Sequence, residues 1–473
     1  MSADFPADPA DASAGAVATE VAAGRLGARE AVEASLGRIE ARDGVLGAFT
    51  DLTRDRALAE ADAVDARRRA GAPLGPLAGA PFAVKNLFDL AGVTTRAGSA
   101  LLRDAPPAAA DGPLISRLVA AGGTTLGALN MGEFAYDFTG ENAHDGPSRN
   151  PHDPSRMTGG SSGGSGAAVA GGLVPIALGS DTNGSIRVPA AFCGVFGLKP
   201  TYGRLPRAGT FPFVDSLDHL GPLARSVWDL ALAFDAMQGW AHGDPACVRD
   251  APPVSGVAAL ASAERPLRVA RLGAWFRGQG EPETDVAADQ VAEALGAADE
   301  IAVEGAAEAR SAAYVITNVE GAALHLEELR ARPEAFDPAV RDRLLAGALM
   351  PGVHYVRAQR RRLAFRETMR ALFERFDLLV APTTPMRAPP IGAETAFVGG
   401  EEVMLRPNIG VYTQPISFVG LPVVSVPVQA EGGLPCGVQL IAPAWREDMA
   451  LAAARRLEEA GISAAPPVFR ETT

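Results

Sequence analysis

Cysteine is scarce in this chain, with three residues, Cys193, Cys247 and Cys436, among 473. An odd number without paired spacing supports neither a disulfide framework nor a zinc site, so no metal is expected. Histidine is also rare, with six residues. Basic residues are outnumbered, 43 against 56 acidic ones, and the resulting net charge of −13 argues against a nucleic-acid backbone as the primary partner. Long apolar runs are missing as well. The uncharged stretch from Met157 to Ser180 is filled with Gly and Ser, whereas a membrane span needs about 20 predominantly apolar residues. Met1 is followed by Ser2, Ala3 and Asp4, with no basic segment leading into an apolar one, so no secretory signal is expected. These absences describe a reduced, cytoplasmic protein that does not enter a membrane.

What remains is ordinary globular material, 47% hydrophobic and 21% charged. Residues 1–15 are small, acidic and Pro-containing and are expected to be disordered, leaving residues 16–465 as one domain. Val32, Leu36 and Ile39 share one face of a predicted helix over Ala28–Ala41, and Ala450, Ala454 and Leu457 share one face of a terminal helix stopping at Gly461. Short apolar runs predict strands at Phe82–Val84 (ending at Lys85), Thr124–Leu129, Leu173–Leu178, Asp377–Ala381, Val423–Val428 and Val438–Ile441. None alternates, which predicts an α/β fold with helices covering a largely parallel sheet. The Ala-, Pro- and Gly-rich stretch from Gly239 to Glu264 reads as a surface connection.

The most informative stretch is Gly159-Gly160-Ser161-Ser162-Gly163-Gly164-Ser165-Gly166, followed by the helical run Ala167–Ala170. A phosphate-binding loop is one reading, yet the tract lacks the Gly-Lys-Ser/Thr ending of a P-loop. A flexible linker fits poorly between apolar elements. A third reading takes Gly159–Gly163 as a Gly-x-Ser-x-Gly elbow of a Ser-His-Asp hydrolase, with His219, His325 or His354 as base.

Two further segments change the balance. Gly179-Ser180-Asp181-Thr182-Asn183-Gly184-Ser185-Ile186-Arg187-Val188-Pro189-Ala190 follows an apolar strand, and Gly79-Ala80-Pro81-Phe82-Ala83-Val84-Lys85-Asn86 lies upstream. Together with the Gly-Ser tract, Met131-Gly132-Glu133-Phe134-Ala135, Arg149-Asn150-Pro151 and Gly437-Val438-Gln439-Leu440-Ile441, these resemble the amidase signature family over roughly Ala28 to Gly461. The resemblance implies an α/β fold with a mixed central sheet covered by helices on both faces. It implies Ser185 as the acyl-forming nucleophile, Ser161 as a bridging serine after a cis Gly160–Ser161 peptide, and Lys85 as the base. No cofactor is implied.

The chemistry wants these groups. Amide hydrolysis needs a nucleophile, a base that can reprotonate the leaving nitrogen, and donors for the tetrahedral oxyanion. Lysine serves as base only when neutral, which burial favours. The turn Thr182-Asn183-Gly184 follows a strand, and its backbone N–H groups are candidates for the oxyanion hole. Asn183 stands where the commoner family pattern has Gly; Asn tolerates left-handed backbone, so the turn is expected to be kept, with the amide a candidate for reaching the substrate. Ser162 is expected to hydrogen-bond within the triad, and Asp181 and Arg187 to fix the loop.

Ser216-Leu217-Asp218-His219-Leu220-Gly221-Pro222, Glu320-Gly321-Ala322-Ala323-Leu324-His325-Leu326, Arg341-Asp342-Arg343-Leu344-Leu345-Ala346-Gly347 and Trp445-Arg446-Glu447-Asp448 resemble the biuret (1-carboxybiuret) hydrolase branch. That resemblance implies release of ammonia from a small carboxylated ureide, a step in cyanuric-acid breakdown. It also implies an oligomer and a small helical partner similar to the C subunit of the tRNA amidotransferase. Arg362 falls where the amidotransferase A subunit has its carboxylate-binding arginine, so Arg362 and His325 are substrate-binding candidates. The glutamine-hydrolysing A subunit is the alternative; it carries an aspartate three residues before its Thr-x-Pro segment, where this chain has Gly410 before Thr413-Gln414-Pro415. The other readings are an amidase for another small amide, a Ser-His-Asp hydrolase and a non-catalytic binding subunit, the last at odds with the presence of Lys85, Ser161 and Ser185 together.

Overall fold

The unalternating apolar runs become strands of one mixed sheet. The computed structural model describes residues 5–261, 266–430 and 433–471, and among these residues eleven strands lie side by side. In chain order they are β1 (Phe49–Leu52), β2 (Pro81–Lys85), β3 (Thr124–Leu129), β4 (Ile176–Asp181), β5 (Phe196–Lys199), β6 (His219–Ala224), β7 (Val269–Leu272), β8 (Asp299–Ile301), β9 (Leu378–Pro382), β10 (Val423–Gln429) and β11 (Pro435–Ile441). Their order across the sheet is β1, β3, β2, β4, β6, β5, β10, β11, β9, β7, β8.

Parallel pairing is confined to β2 with β3 and β4, and to β7 with β8 and β9. The other pairs are antiparallel, including the whole run from β4 through β6, β5, β10 and β11 to β9. The largely parallel sheet expected from the strand pattern is therefore corrected to the mixed sheet that the family resemblance implies. The reason is burial. Every residue of β2, β3, β4, β6 and β11 is buried, and helices on both faces erase alternation whatever the strand direction.

Boundaries matter at one place. The strand expected at Leu173–Leu178 instead spans Ile176–Asp181, because residues 171–175 form the turn out of the preceding helix, with Gly172 at φ 71°. The shift puts Asp181 at the strand end and Ser185 in the turn beyond it. The first long helix runs Ala28–Leu46 and stops at Gly47 in left-handed backbone, and the terminal helix spans Glu447–Glu459.

The N-terminal segment differs from expectation. Residues 1–4 lie outside the described residues, but residues 5–15 are packed, with Ala10, Ala12 and Ala14 buried. Asp8 and Asp11 pair with the guanidinium of Arg38. Arg225 donates to the carbonyls of Ala10 and Ala12 at 3.1 and 2.7 Å, and Asp229 accepts from the N–H groups of Ala14 and Gly15. Small acidic residues supply charge and carbonyls to two arginines far away in sequence, a complementarity that local composition does not reveal. The stretch from Gly239 contains a short helix, Gly256–Ala261, and its last expected residues, 262–264, lie outside the described ones.

The Gly-Ser tract ends in a wholly buried helix, Gly163–Ala170. A Cβ on Gly164 would sit 2.5 Å from the Ala48 carbonyl and 2.6 Å from the Asn130 nitrogen. Only glycine lets this helix approach the backbone at the end of β3 so closely, and that approach holds the tract against the sheet.

Candidate active site

The parallel register Val84↔Leu178 brings the C-terminal ends of β2 and β4 together. Lys85 closes β2 and is fully buried. Its Nζ contacts three hydroxyls, Ser161 Oγ at 2.6 Å, Ser180 Oγ at 2.9 Å and Ser162 Oγ at 3.1 Å. No carboxylate hydrogen-bonds to the amine among the described residues. Burial pushes the Lys85 pKa down to about 7, against the opposing pull of Asp218, Asp181 and Asp137. A lysine with such surroundings can be neutral near neutral pH.

The peptide Gly160–Ser161 is cis. Backbone bonds hold it on both sides: Gly160 N–H donates to Phe138 O at 2.9 Å, and Ser161 O accepts from Gly132 N–H at 3.1 Å. A Cβ at Gly160 would lie 2.3 Å from the Asp137 carboxylate, so glycine is required there. Ser162 is not a spectator. Its Oγ accepts from Lys85 and donates to Ser180 O at 3.2 Å, tying the tract to β4.

Ser185 lies in the turn after β4 and is buried. Asp181, the last residue of that strand, organises the turn. Its carboxylate accepts from the N–H groups of Ile186 and Arg187 and is bracketed by the Arg187 guanidinium, Nε at 2.9 Å and Nη2 at 3.0 Å. Burial works against its charge, yet Arg187, helped by Lys199 and His219, holds Asp181 below the usual carboxylate range. Arg187 is itself wholly buried and reaches Gln439 Oε1 at 2.6 Å and Thr413 O at 3.2 Å. The loop-fixing role expected of this pair is what the geometry contains. Thr182 Oγ1 donates to Asp218 at 2.6 Å, and Thr413 Oγ1 donates to Asn183 O at 2.7 Å. Gly184 sits at φ 145°, where a Cβ would meet Thr413 Oγ1 at 2.3 Å. Among the described residues no protein group accepts from the N–H groups of Thr182, Asn183 and Gly184.

A narrow cavity opens on Ser185, Thr182 and Asn183; Phe138, Arg343 and Gln414 also line it. Arg406 also lines it but is neutralised by Asp137 at 3.0 Å and Glu141 at 2.8 Å. Arg343 is different. It donates to the carbonyls of Ala339 and Tyr136 and stacks 3.8 Å from the Tyr136 ring centre, with no carboxylate partner among the described residues.

Two expected substrate residues are elsewhere. Arg362 donates to the carbonyls of Phe418 at 2.6 Å and Ser216 at 2.7 Å, tying the end of the short helix Gln414–Phe418 to the segment at Ser216 instead of lining the cavity. His325 is enclosed by Phe134, Phe211 and Phe336, with its ring centre 4.0 Å from that of Phe134, and burial pushes its pKa down to about 4. Neither lines the Ser185 cavity.

The alternative histidine bases fail on geometry. His219 Nδ1 faces the carbonyls of Leu217 and Asp181, and His354 is exposed. No imidazole among the described residues is hydrogen bonded to a serine hydroxyl. Sequence reading missed Asp137, Arg343, Arg406, Ser180 and Thr317. Asp137 closely follows the Met131–Ala135 segment, and an acid between Tyr136 and Phe138 is a usable signal; the others carry none.

Known proteins share these residues' framework. A family model described as Amidase matches residues 30–451. The chain is 53% identical over 445 residues to AtzE of Pseudomonas sp. (strain ADP), a 1-carboxybiuret hydrolase subunit, covering 94% of this chain and 97% of that protein. It is 38% identical to the A subunit of the glutamyl-tRNA(Gln) amidotransferase of Chromohalobacter salexigens, covering 94% and 95%. A solved structure of a vestigial protein complex, described as revealing the evolutionary origins of an s-triazine catabolic enzyme, matches with TM-score 0.94 and 52% identity, covering 96% of this chain and 100% of that one.

Proposed function

The chain belongs to the amidase signature family, and from that membership we propose that it is an amidohydrolase releasing ammonia from a small carboxylated urea-type amide, 1-carboxybiuret or biuret. The observation that carries the reading is the Lys85 amine, buried against three serine hydroxyls with its pKa brought down to about 7. Neutral Lys85 takes the proton of Ser161 as Ser161 takes that of Ser185, and Ser185 Oγ adds to the amide carbonyl. The free N–H groups of Thr182, Asn183 and Gly184 receive the oxyanion. Collapse expels ammonia, which collects its proton from Ser161 as Lys85 returns it. Water then enters by the same proton path and splits the acyl-Ser185 ester. The net change is amide plus water to ammonia plus a carboxylic or carbamic acid.

Arg343 takes over the role first given to Arg362. A guanidinium on the cavity wall without a carboxylate of its own is suited to a substrate carboxylate. Glutamine fits less well. A side chain at Gly410 would meet the Phe138 ring at 2.5 Å, so that wall offers an aromatic face and no acid for an ammonium group. One relative is a hydrolase subunit and another a chain of a protein complex tied to the origins of an s-triazine catabolic enzyme; on that basis the proposal extends to a place in cyanuric-acid breakdown and to association with a small helical partner in an oligomer. No helix among the described residues is long and apolar enough to cross a membrane. The free thiols of Cys193, Cys247 and Cys436 support a cytoplasmic setting.

Ammonia release from 1-carboxybiuret, biuret, malonamide and glutamine tests the reading. Carboxybiuret should be turned over best and glutamine poorly. Efficient glutaminase activity with inert ureides would overturn it.

A further inference from the structure

Asn183 carries an unused acceptor at the cavity wall. The residue is 7% exposed and lines the same cavity as Ser185. Its amide orientation is set by a chain of hydrogen bonds. Thr317 Oγ1 donates its proton to Ala313 O at 2.8 Å, so toward Asn183 it can only accept. Asn183 therefore presents its NH₂ to Thr317, at 2.8 Å. Its carbonyl, Oδ1, is left buried without a partner among the described residues. Buried acceptors in native proteins are nearly always paired, so an orphan beside a nucleophile is a place reserved for a ligand donor.

We propose that Asn183 Oδ1 accepts the N–H of the nitrogen that flanks the scissile carbonyl, and so selects ureides over amides whose carbonyl is flanked by carbon. The inference rests on the ureide reading above and adds a substrate-contacting residue to it. Biuret and malonamide make the relevant pair, differing only by NH against CH₂ between the two carbonyls. With biuret the orphan acceptor is satisfied in the bound state. With malonamide it stays buried against a methylene, and a site built to hydrogen-bond a group discriminates strongly against the analogue that lacks it. Glycine, common at this position in the family pattern, offers no such acceptor.

The test is the ratio of kcat/KM for biuret to that for malonamide, measured on the parent and its variants. Comparing ratios cancels the different intrinsic reactivity of the two compounds, and damage to the oxyanion turn lowers both substrates together. Asn183→Ala should lower the ratio about tenfold or more. Asn183→Asp, which keeps an acceptor oxygen, should retain most of it. Thr317→Val, which removes the group that orients the amide, should lower it as well and serves if Asn183→Ala does not fold. An unchanged ratio in Asn183→Ala or Thr317→Val overturns the role of Asn183 while ureide hydrolysis stands. Failure of the parent to release ammonia from biuret or carboxybiuret overturns the reading on which it rests.

Discussion

The Nζ of Lys85 lies 2.6 Å from the Oγ of Ser161, a residue 76 positions away in the chain. The contact joins the end of a parallel strand to a glycine-bounded loop, inside a protein interior where a protonated lysine is costly. Its pKa is consequently drawn from 10.5 to about 7. As a base, Lys85 works only unprotonated, so kcat/KM should rise with pH, with an inflection near 7 and far below that of free lysine. A pH–rate profile checks this; continued increase toward pH 10 would place the base elsewhere.

The same burial has a stability consequence. Because the folded-state pKa is depressed, the unfolded chain binds the extra proton between about pH 7 and 10.5. Stability therefore rises with pH across that window through this group and is penalised below it. Lys85→Met removes the penalty along with the base. The variant should be inactive yet at least as heat-stable as the parent at pH 6, as thermal melts of both proteins would measure.

Asp181 and Arg187 form a pair with no exposure on either side chain. Asp181→Asn leaves a buried guanidinium short of its counter-charge and loosens the N–H groups at the start of the helix after Ser185. We expect a loss of about 3–5 kcal/mol in denaturant unfolding, together with a large fall in kcat. A stable variant of full activity would show that the turn does not depend on the pair.

Arg343 and Arg362 separate charge recognition from scaffolding. Arg343→Met should weaken carboxybiuret by one to two powers of ten, the equivalent of about 1.5–3 kcal/mol for a charge-assisted hydrogen bond, and biuret much less. Arg362→Met frees the carbonyls of Phe418 and Ser216, so it should lower Tm and leave the carboxybiuret-to-biuret ratio alone. Steady-state kinetics on both substrates, with melts, distinguish the two.

The contrast between these arginines shows where sequence reading stops. Lys85, Ser161 and Ser185 stand out in the sequence because each lies in a local motif punctuated by glycine, and close approach demands some of those glycines, as Gly160 against the Asp137 carboxylate and Gly164 against the Ala48 backbone illustrate. Strands such as Thr124–Leu129 are legible from their apolar runs. Strand direction is not, since complete burial leaves no alternation to read. Arg362 and Arg343 both occupy charged helical segments, and nothing local says that one meets two carbonyls and the other a cavity. The N-terminal residues fail for a similar reason: Asp8 and Asp11 find order through Arg38, which only the fold brings near.

The central claim is that Ser185 carries the acyl group, and rapid quenching during turnover of carboxybiuret or biuret, followed by peptide mass spectrometry, tests it most directly. An adduct is expected on the peptide containing Ser185, disappearing together with ammonia release in Ser185→Ala. An adduct on Ser161, Ser162 or any other residue, or parent-level ammonia release from Ser185→Ala, would contradict it.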